Sequence, residues 1–510
     1  MSNPLYDALF APHVGKDSAF LHLLDGTSIS HAAFLQQAAQ NANALAALGV
    51  QPGDRVAVHI QKSPQALALY AGCVQAGAVF LPLNTAYTAT ELEYFVGDSG
   101  ASLFVCDPTE ADAMTAIAAS NGCVLHTLAS DGSGSLAELV ATQPTIAQVA
   151  ARGDDDLAAL LYTSGTTGRS KGAMLTQRNL LSNAQALVEG WRFTSDDVLL
   201  HALPIFHSHG LFVACNVSLL AGGSMIFLPK FDTDSVIARL PEATAMMGVP
   251  TFYTRLLDDP RFTKQLTTHM RLFISGSAPL LAETHERFEN RTGHRILERY
   301  GMTETSMNTS NPYEGERRAG TVGFALPGVE VKVCDPKTGA ELPQGEIGVL
   351  EVRGPNVFKG YWQMPDKTRE ELREDGFFIT GDLSMIDADG YVTIVGRGKD
   401  LIISGGFNIY PKEIEVFLDD LPGVLESAVI GAPHPDFGES VVAVLVAEAG
   451  GECDVAAIEA AVRRDLAGFK RPRHIVVLEE LPRNTMGKVQ KKELRDRFVD
   501  VFRTAEVNSA

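Results

Sequence analysis

The segment Leu161-Tyr162-Thr163-Ser164-Gly165-Thr166-Thr167-Gly168-Arg169-Ser170-Lys171-Gly172 carries the residue types that grip a polyphosphate. Glycine lets backbone approach a phosphate closely and tolerates positive φ. Thr and Ser hydroxyls and free backbone N–H groups donate to phosphate oxygens, and Arg169 and Lys171 add positive charge. The common nucleotide loop needs Gly-Lys-Ser/Thr after its spacer residues. Here Gly168 is followed by Arg169 and Ser170, which disfavours a P-loop kinase or GTPase. Taken alone, the segment also reads as a Gly/Ser linker.

Four more segments could do chemistry with it. Tyr300-Gly301-Met302-Thr303-Glu304-Thr305 follows a strand and offers a ring, a hydroxyl and a carboxylate in one turn. Thr380-Gly381-Asp382 ends an apolar run on a lone acid, and Gly396-Arg397-Gly398-Lys399-Asp400 precedes a change of texture. Pro482-Arg483-Asn484-Thr485-Met486-Gly487-Lys488 lies near the C-terminus. Each has a plain structural alternative: Tyr300 as core, Glu304 as a helix cap behind Thr303, Asp382 as a turn former, Lys488 as an exposed lysine.

The elements that must position these residues read as α/β. Strands are expected over 55–60, 78–83 and 102–106, with helices over 64–76 and 90–96. After the glycine-rich loop, strands are expected over 198–203, 224–228, 244–249, 271–275 and 295–300. Strands alternating with helices imply parallel sheets covered on both faces. From about residue 322, short β-like runs with Gly and Asp turns suggest a mostly antiparallel subdomain, to about 398. An α+β segment follows from 399 to 510, with helices over 411–418 and 455–466 and strands over 427–430 and 440–448. The fold class is thus a large N-terminal α/β domain (1–398) of two parallel sheets plus a small β subdomain, then a small α+β domain.

Composition sets limits on partners. The chain has 510 residues, with 42 basic and 62 acidic side chains and a net charge of −20. That acidity argues against broad nucleic-acid binding and against docking on anionic membranes, so an anionic substrate must be drawn in by local cations. The six cysteines are scattered without Cys-x-x-Cys spacing, which gives no zinc or dithiol signature. Met1-Ser2-Asn3-Pro4 opens no signal-peptide pattern, and no apolar run of membrane-spanning length is present. A cytoplasmic location is expected, with no obligate protein partner.

In combination and order the five segments resemble the adenylate-forming superfamily of acyl-CoA synthetases, luciferases and peptide-synthetase adenylation domains. The resemblance spans nearly the whole chain and runs, within the superfamily, toward malonyl-CoA synthetases. It implies ATP, Mg²⁺ and coenzyme A. Thr163, Ser164, Gly165, Thr166, Thr167, Gly168 and Lys171 should cover the β- and γ-phosphates. Gly276, Ser277 and Ala278 should wall the nucleotide, with Glu298, Arg299, Tyr300, Gly301 and Met302 beside it and Tyr300 stacked on adenine. Thr303 should hold the α-phosphate, and Glu304, with Thr167, the metal. Asp382 and Arg397 should take the ribose, and Lys488 should bridge the acid and the α-phosphate.

The resemblance further implies a mobile C-terminal domain. Rotation about Lys399 would withdraw Lys488 and bring Gly405 and Gly406 to a thiol channel. Lys470, Arg471 and Arg473 could receive coenzyme A phosphates or form an ordinary basic loop. A peptide-synthetase module is disfavoured, because the chain ends soon after Lys488.

The acid pocket is expected from 206–212, 249–255, 275–278 and 303–307. It is more polar than a fatty or aromatic acid requires. Ser208, His209 and Arg255 should face the far end of the acid, and Met307 and Ser208 its central carbon. A second carboxylate cannot be buried without a partner, and a guanidinium supplies a two-pronged bond. Arg255 is therefore the expected receptor of a dicarboxylate's distal group, with Arg287 and Arg299 as alternatives. The expected activity is ligation of malonate to coenzyme A. Methylmalonate, a short fatty acid or a cinnamate are alternative acids, and a non-catalytic nucleotide-binding regulator is an alternative class.

Overall fold

The computed structural model describes residues 2–163, 170–404, 407–434, 437–448, 450–466, 468–484 and 487–502. The proposed phosphate-loop residues Ser164, Gly165, Thr166, Thr167 and Gly168, the loop glycines Gly405 and Gly406, and Thr485 and Met486 lie outside them.

Local signals set the element boundaries. Helix Pro64–Ala76 starts where Ser63 accepts from the Ala66 N–H and Pro64 supplies a preset φ, and stops at Gly77 in the left-handed region. Helix Ala89–Ser99 opens on a reciprocal capping box between Thr88 and Glu91 and ends at Gly100. Its cap lets it run past the expected 90–96 at both ends.

A six-stranded sheet has the order Val124–Thr127, Leu103–Cys106, Arg55–His59, Val79–Pro82, Leu157–Thr163, Lys171–Thr176. A nine-stranded sheet runs from Phe324–Ala325 through Ser306–Ser310, Leu297–Met302, Leu272–Ser275, Ala245–Gly248, Val198–His201, Ser224–Phe227 and Ala19–His22 to Ser28–Ser30. The expectation of purely parallel sheets is corrected at their edges. Lys171–Thr176, Ser28–Ser30 and Ser306–Ser310 run antiparallel because each follows its neighbour through a short connection, and Phe324–Ala325 returns antiparallel onto Ser306–Ser310 after the longer segment 311–323.

The two sheets share one apolar core. Tyr70, on helix Pro64–Ala76, packs its ring 5.4 Å from Phe80 of the first sheet and 5.8 Å from Phe212 beside the second. Phe324–Ala325, which the sequence reading assigned to the β subdomain, instead joins the nine-stranded sheet. The subdomain itself is an antiparallel sheet of Glu330–Cys334, Gly348–Arg353, Phe378–Ile386 and Val392–Arg397. Thr380-Gly381-Asp382 lies within its third strand rather than at the end of a run. The C-terminal part wraps helices Pro411–Asp419 and Val455–Asp465 onto a further sheet whose longest strands are Val424–His434 and Gly438–Ala447. Among the described residues no helix is long and apolar enough to cross a membrane.

Candidate active site

Four neighbouring parallel strands, Val198–His201, Ala245–Gly248, Leu272–Ser275 and Leu297–Met302, deliver their carboxyl ends to one cleft. Ligands of open α/β sheets bind at such ends. The hairpin of Leu157–Thr163 and Lys171–Thr176 enters the same cleft from the other sheet. Its ends are clamped from helix Ala89–Ser99. Tyr162 donates to Asp98 Oδ2 at 2.5 Å, and Tyr94 donates to the Ser170 carbonyl at 2.9 Å. Thr163 Oγ1 lies 3.4 Å from the Lys171 carbonyl.

Lys171 belongs to a charged cluster that the sequence reading missed. Its Nζ sits 3.3 Å from both carboxylate oxygens of Glu371 and 4.1 Å from the centre of the Tyr361 ring. The Tyr361 hydroxyl lies 2.6 Å from Glu371 Oε2 and 3.1 Å from Glu304 Oε1. Glu304 does not cap a helix. It is buried in the turn between Leu297–Met302 and Ser306–Ser310. Burial raises its pKa, opposed by Lys171, Tyr361 and Arg397. Nothing local in the sequence marks Tyr361 or Glu371, since they reach the site only by the folding of the β subdomain.

On the other flank, Tyr300 donates to Asp382 Oδ2 at 2.5 Å, and Arg397 Nε contacts Asp382 Oδ1 at 2.7 Å. Tyr300, Gly301 and Met302 are strand residues, not members of the turn as expected; the turn begins at Thr303. Gly301 is required there, because a Cβ would lie 2.0 Å from the Ser306 carbonyl. The turn 276–279 places Ser277 at φ +71, a conformation disfavoured outside glycine.

Glu298 accepts from the Leu280 N–H at 3.1 Å through Oε1, while its buried Oε2 has no hydrogen-bond partner among the described residues. Burial pushes its pKa up to about 8. The folded protein therefore holds a proton that the unfolded chain releases from about pH 4.5. Stability from this group is present at low pH and is lost as pH rises toward 8. In ligand-free melts, Glu298→Gln is expected to raise the melting temperature by several degrees at pH 8.5 and to change it little at pH 5; equal shifts at both pH values would contradict this.

The acid side gathers buried polar atoms without partners. Ser208 Oγ, His209 Nε2, Arg299 Nε and Nη2, and Ser306 Oγ are buried and have no hydrogen-bond partner among the described residues. His209 Nδ1 lies 3.2 Å from Ser277 Oγ, and burial, with Arg299 nearby, holds the imidazole neutral. Arg299 is only 3% exposed. It packs on the Gly276 turn so closely that a Cβ there would lie 2.4 Å from its guanidinium carbon. Burial pulls its pKa down to about 9, which leaves it charged at neutral pH. Met307 is buried in the adjoining strand.

The expected receptor needs correction. Arg255 is exposed in the last turn of helix Pro250–Asp258, whose Tyr253, Leu256 and Leu257 take the buried face. Arg287 is also on the surface, 3.6 Å from Asp258. Of the three arginines, Arg299 is the one carried into the cleft, on a central strand covered on both faces.

From the C-terminal part, a tight loop reaches in. Lys488 donates its N–H to Asn484 Oδ1 at 2.9 Å, and Arg483 Nη1 contacts the Gly487 carbonyl at 2.6 Å. Gly487, at φ +75, abuts Thr251, whose Oγ1 would lie 3.2 Å from a Cβ. Lys488 is exposed. The surrounding protein nevertheless lowers its pKa to about 8, by desolvation and then by Arg397, against Asp382.

Lys399 lies in the turn Gly398–Asp400, where Asp400 pairs with Arg495 at 2.7 Å. Lys470 is ion-paired with Glu413, and Arg471 Nε donates to the Leu466 carbonyl at 2.8 Å. Arg473 stacks 4.2 Å over Phe437. A crevice lined by Asn84, Tyr87, Phe206 and His207 leads to Thr303.

Comparison with known proteins agrees with this arrangement. The AMP-binding enzyme profile matches residues 11–362, and the AMP-binding enzyme C-terminal domain profile matches residues 413–488. The ATP-bound crystal structure of MatB from Rhodopseudomonas palustris is 57% identical, covers 98% of this chain and 100% of its own, and superposes with a TM-score of 0.97. The apo crystal structure of the same protein gives 0.85, so the arrangement here is nearer the ATP-bound form. A feruloyl-CoA synthase from an Amycolatopsis species is 38% identical over 502 residues, 97% of this chain and 98% of its own length. A malonate–CoA ligase from Arabidopsis thaliana is 36% identical over 483 residues, 88% of this chain and 78% of its own. The chain belongs to the AMP-binding enzyme family.

Proposed function

We propose that the protein joins malonate to coenzyme A at the expense of ATP, through malonyl-adenylate, releasing pyrophosphate and AMP. One observation carries the choice of acid: the buried Arg299 guanidinium, whose Nε and Nη2 have no hydrogen-bond partner among the described residues, lies near His209, and Ser208 Oγ is unpartnered likewise. A feruloyl group would leave these donors unpaired at a cost of about 1–3 kcal/mol each. A second carboxylate satisfies them. The Arabidopsis relative's name supports malonate; the Amycolatopsis relative's name supports only the acid–thiol ligase chemistry.

In the first half-reaction a malonate carboxylate oxygen attacks the α-phosphorus of ATP and pyrophosphate leaves. In the second, the coenzyme A thiol attacks the acyl carbon and AMP leaves. Bringing a carboxylate to a phosphate opposes two anions, and Lys488 offsets that repulsion. A cation about 4 Å from a unit anion contributes roughly 4 kcal/mol at an effective dielectric near 20. Thr303 and Lys171 hold phosphate oxygens. Asp382 takes the ribose hydroxyls with Arg397 assisting, and Glu298 lies in the strand beside the nucleotide. Glu304, a buried oxygen donor beside Lys171, has the chemistry to hold Mg²⁺, which would neutralise phosphate charge.

We assign residues 1–398 to the acid- and ATP-binding domain and 399–510 to a lobe that swings about Lys399. The swing withdraws Lys488 and presents Gly405 and Gly406 to the crevice beside His207. Lys470 and Arg471 then receive phosphates of coenzyme A. Methylmalonate is the second reading, and Met307 and Ser208, at the acid's central carbon, decide it. Pyrophosphate release measured over malonate, methylmalonate, octanoate and ferulate tests the assignment. Release with malonate, followed by malonyl-CoA once thiol is added, supports it. Release with octanoate or ferulate but not malonate overturns it.

A further inference from the structure

Lys62 lies between strand Arg55–His59 of the smaller sheet and the Ser63 cap of helix Pro64–Ala76, yet its side chain ends inside the larger sheet. It is 8% exposed. Its Nζ donates to the His201 carbonyl at 2.9 Å and to His201 Nδ1 at 2.7 Å, and it lies 4.2 Å from the centre of the Phe227 ring. An ammonium has three N–H donors and no acceptor, and these three contacts occupy them. Among the described residues no carboxylate forms an ion pair with it, although buried lysines are normally paired. Filling this space alone would call for a methionine or leucine.

The contacts continue toward the acid. Because the Gly210 carbonyl can only accept, the ring proton of His201 sits on Nε2, and the bare Nδ1 accepts from Lys62. That Nε2–H donates to the Gly210 carbonyl at 2.7 Å, and the Cys215 thiol donates to the same oxygen at 3.2 Å. Gly210 and Cys215 belong to the π-helical segment His209–Cys215, a form frequent at functional sites. Gly210 is seated so tightly that a Cβ would lie 1.9 Å from the Pro204 carbonyl. The residue before it is His209, whose buried Nε2 has no hydrogen-bond partner among the described residues.

Resting on the reading that Ser208, His209 and Arg299 receive the distal carboxylate, we propose that Lys62 and His201 are positioning residues for the acid pocket. They fix the Gly210 carbonyl, and through it the pose of the His209 ring, from behind the sheet without touching substrate. A lysine from one sheet thereby sets acid recognition on the other.

Lys62→Met keeps the length and removes the donors. It is expected to raise the KM for malonate about tenfold or more, with kcat and the KM for ATP each within about threefold. In a His209→Ala background the same substitution is expected to add little, because its effect passes through His209. Effects that multiply in the double variant, or equal losses for malonate and ATP, would overturn the proposal. Should Lys62→Met fail to fold, ¹⁵N-histidine NMR of the wild-type enzyme decides, with the His201 signal assigned from His201→Gln. A protonated Nε2 and bare Nδ1 are required, and the reverse tautomer overturns the proposal. Failure of Arg299→Met to affect malonate use would instead overturn the substrate assignment, so the two failures are distinguishable.

Discussion

Replacing Arg299 with methionine is expected to lower kcat/KM for malonate by about 10²–10³ while the KM for ATP moves within about threefold. The scale is that of truncating one partner of a buried, hydrogen-bonded charge pair, about 2–5 kcal/mol. A lysine should rescue poorly, since it offers a point charge where the guanidinium presents a planar fork. Relative use of monocarboxylic acids should rise in the methionine variant, because a pocket without the cation no longer pays to leave it unpaired. Arg255→Ala is the matched control. That side chain is exposed on helix Pro250–Asp258, and its loss should leave malonate kinetics unchanged. If Arg255→Ala impairs malonate use and Arg299→Met does not, the assignment of the distal subsite is wrong.

Lys488→Ala is expected to slow adenylate formation by about 10²–10³, as for losing one preorganised transition-state donor. Thioester formation from supplied malonyl-adenylate should persist, because the lobe carrying Lys488 has by then swung away. Equal loss in both half-reactions would contradict alternation. The pH dependence follows from the charge that does the work. The ammonium form is the active one, and its pKa in the free enzyme is lowered to about 8. For adenylation, kcat/KM should therefore be maximal below that value and fall above it. The limb should disappear in Lys488→Ala, and a limb that survives there belongs to another group.

The parts of this molecule that local chemistry dictates could be read from the chain. Ser63-Pro64 and Gly77 bracket a helix in sequence as they do in space, and Thr88 with Glu91 announces the next one. The cleft's position also follows from alternating strands and helices, because parallel strands point their carboxyl ends the same way. What could not be read is convergence from afar. Lys171 and Glu371 are 200 positions apart, and their meeting depends on how the β subdomain docks. Arg299 is an instructive middle case. It stands between Glu298 and Tyr300 on a strand of a sheet covered on both faces, where an arginine must be buried and therefore must have a use. Arg255 is the expected receptor because the family resemblance puts residues 249–255 along the acid pocket, but helical periodicity turns its side chain outward. Lys62 gave no signal, since its short stretch reads as an ordinary polar connection before a helix cap.

The grip of Glu371 on Lys171 has a consequence for the resting enzyme. Glu371 holds Lys171 at 3.3 Å while also pairing with Lys367 at 3.0 Å, so the lysine's charge is only partly offset. Lys171 is thereby held in place until a ligand with its own phosphate charge competes for it, so a polyphosphate displaces a standing contact rather than meeting a bare ammonium.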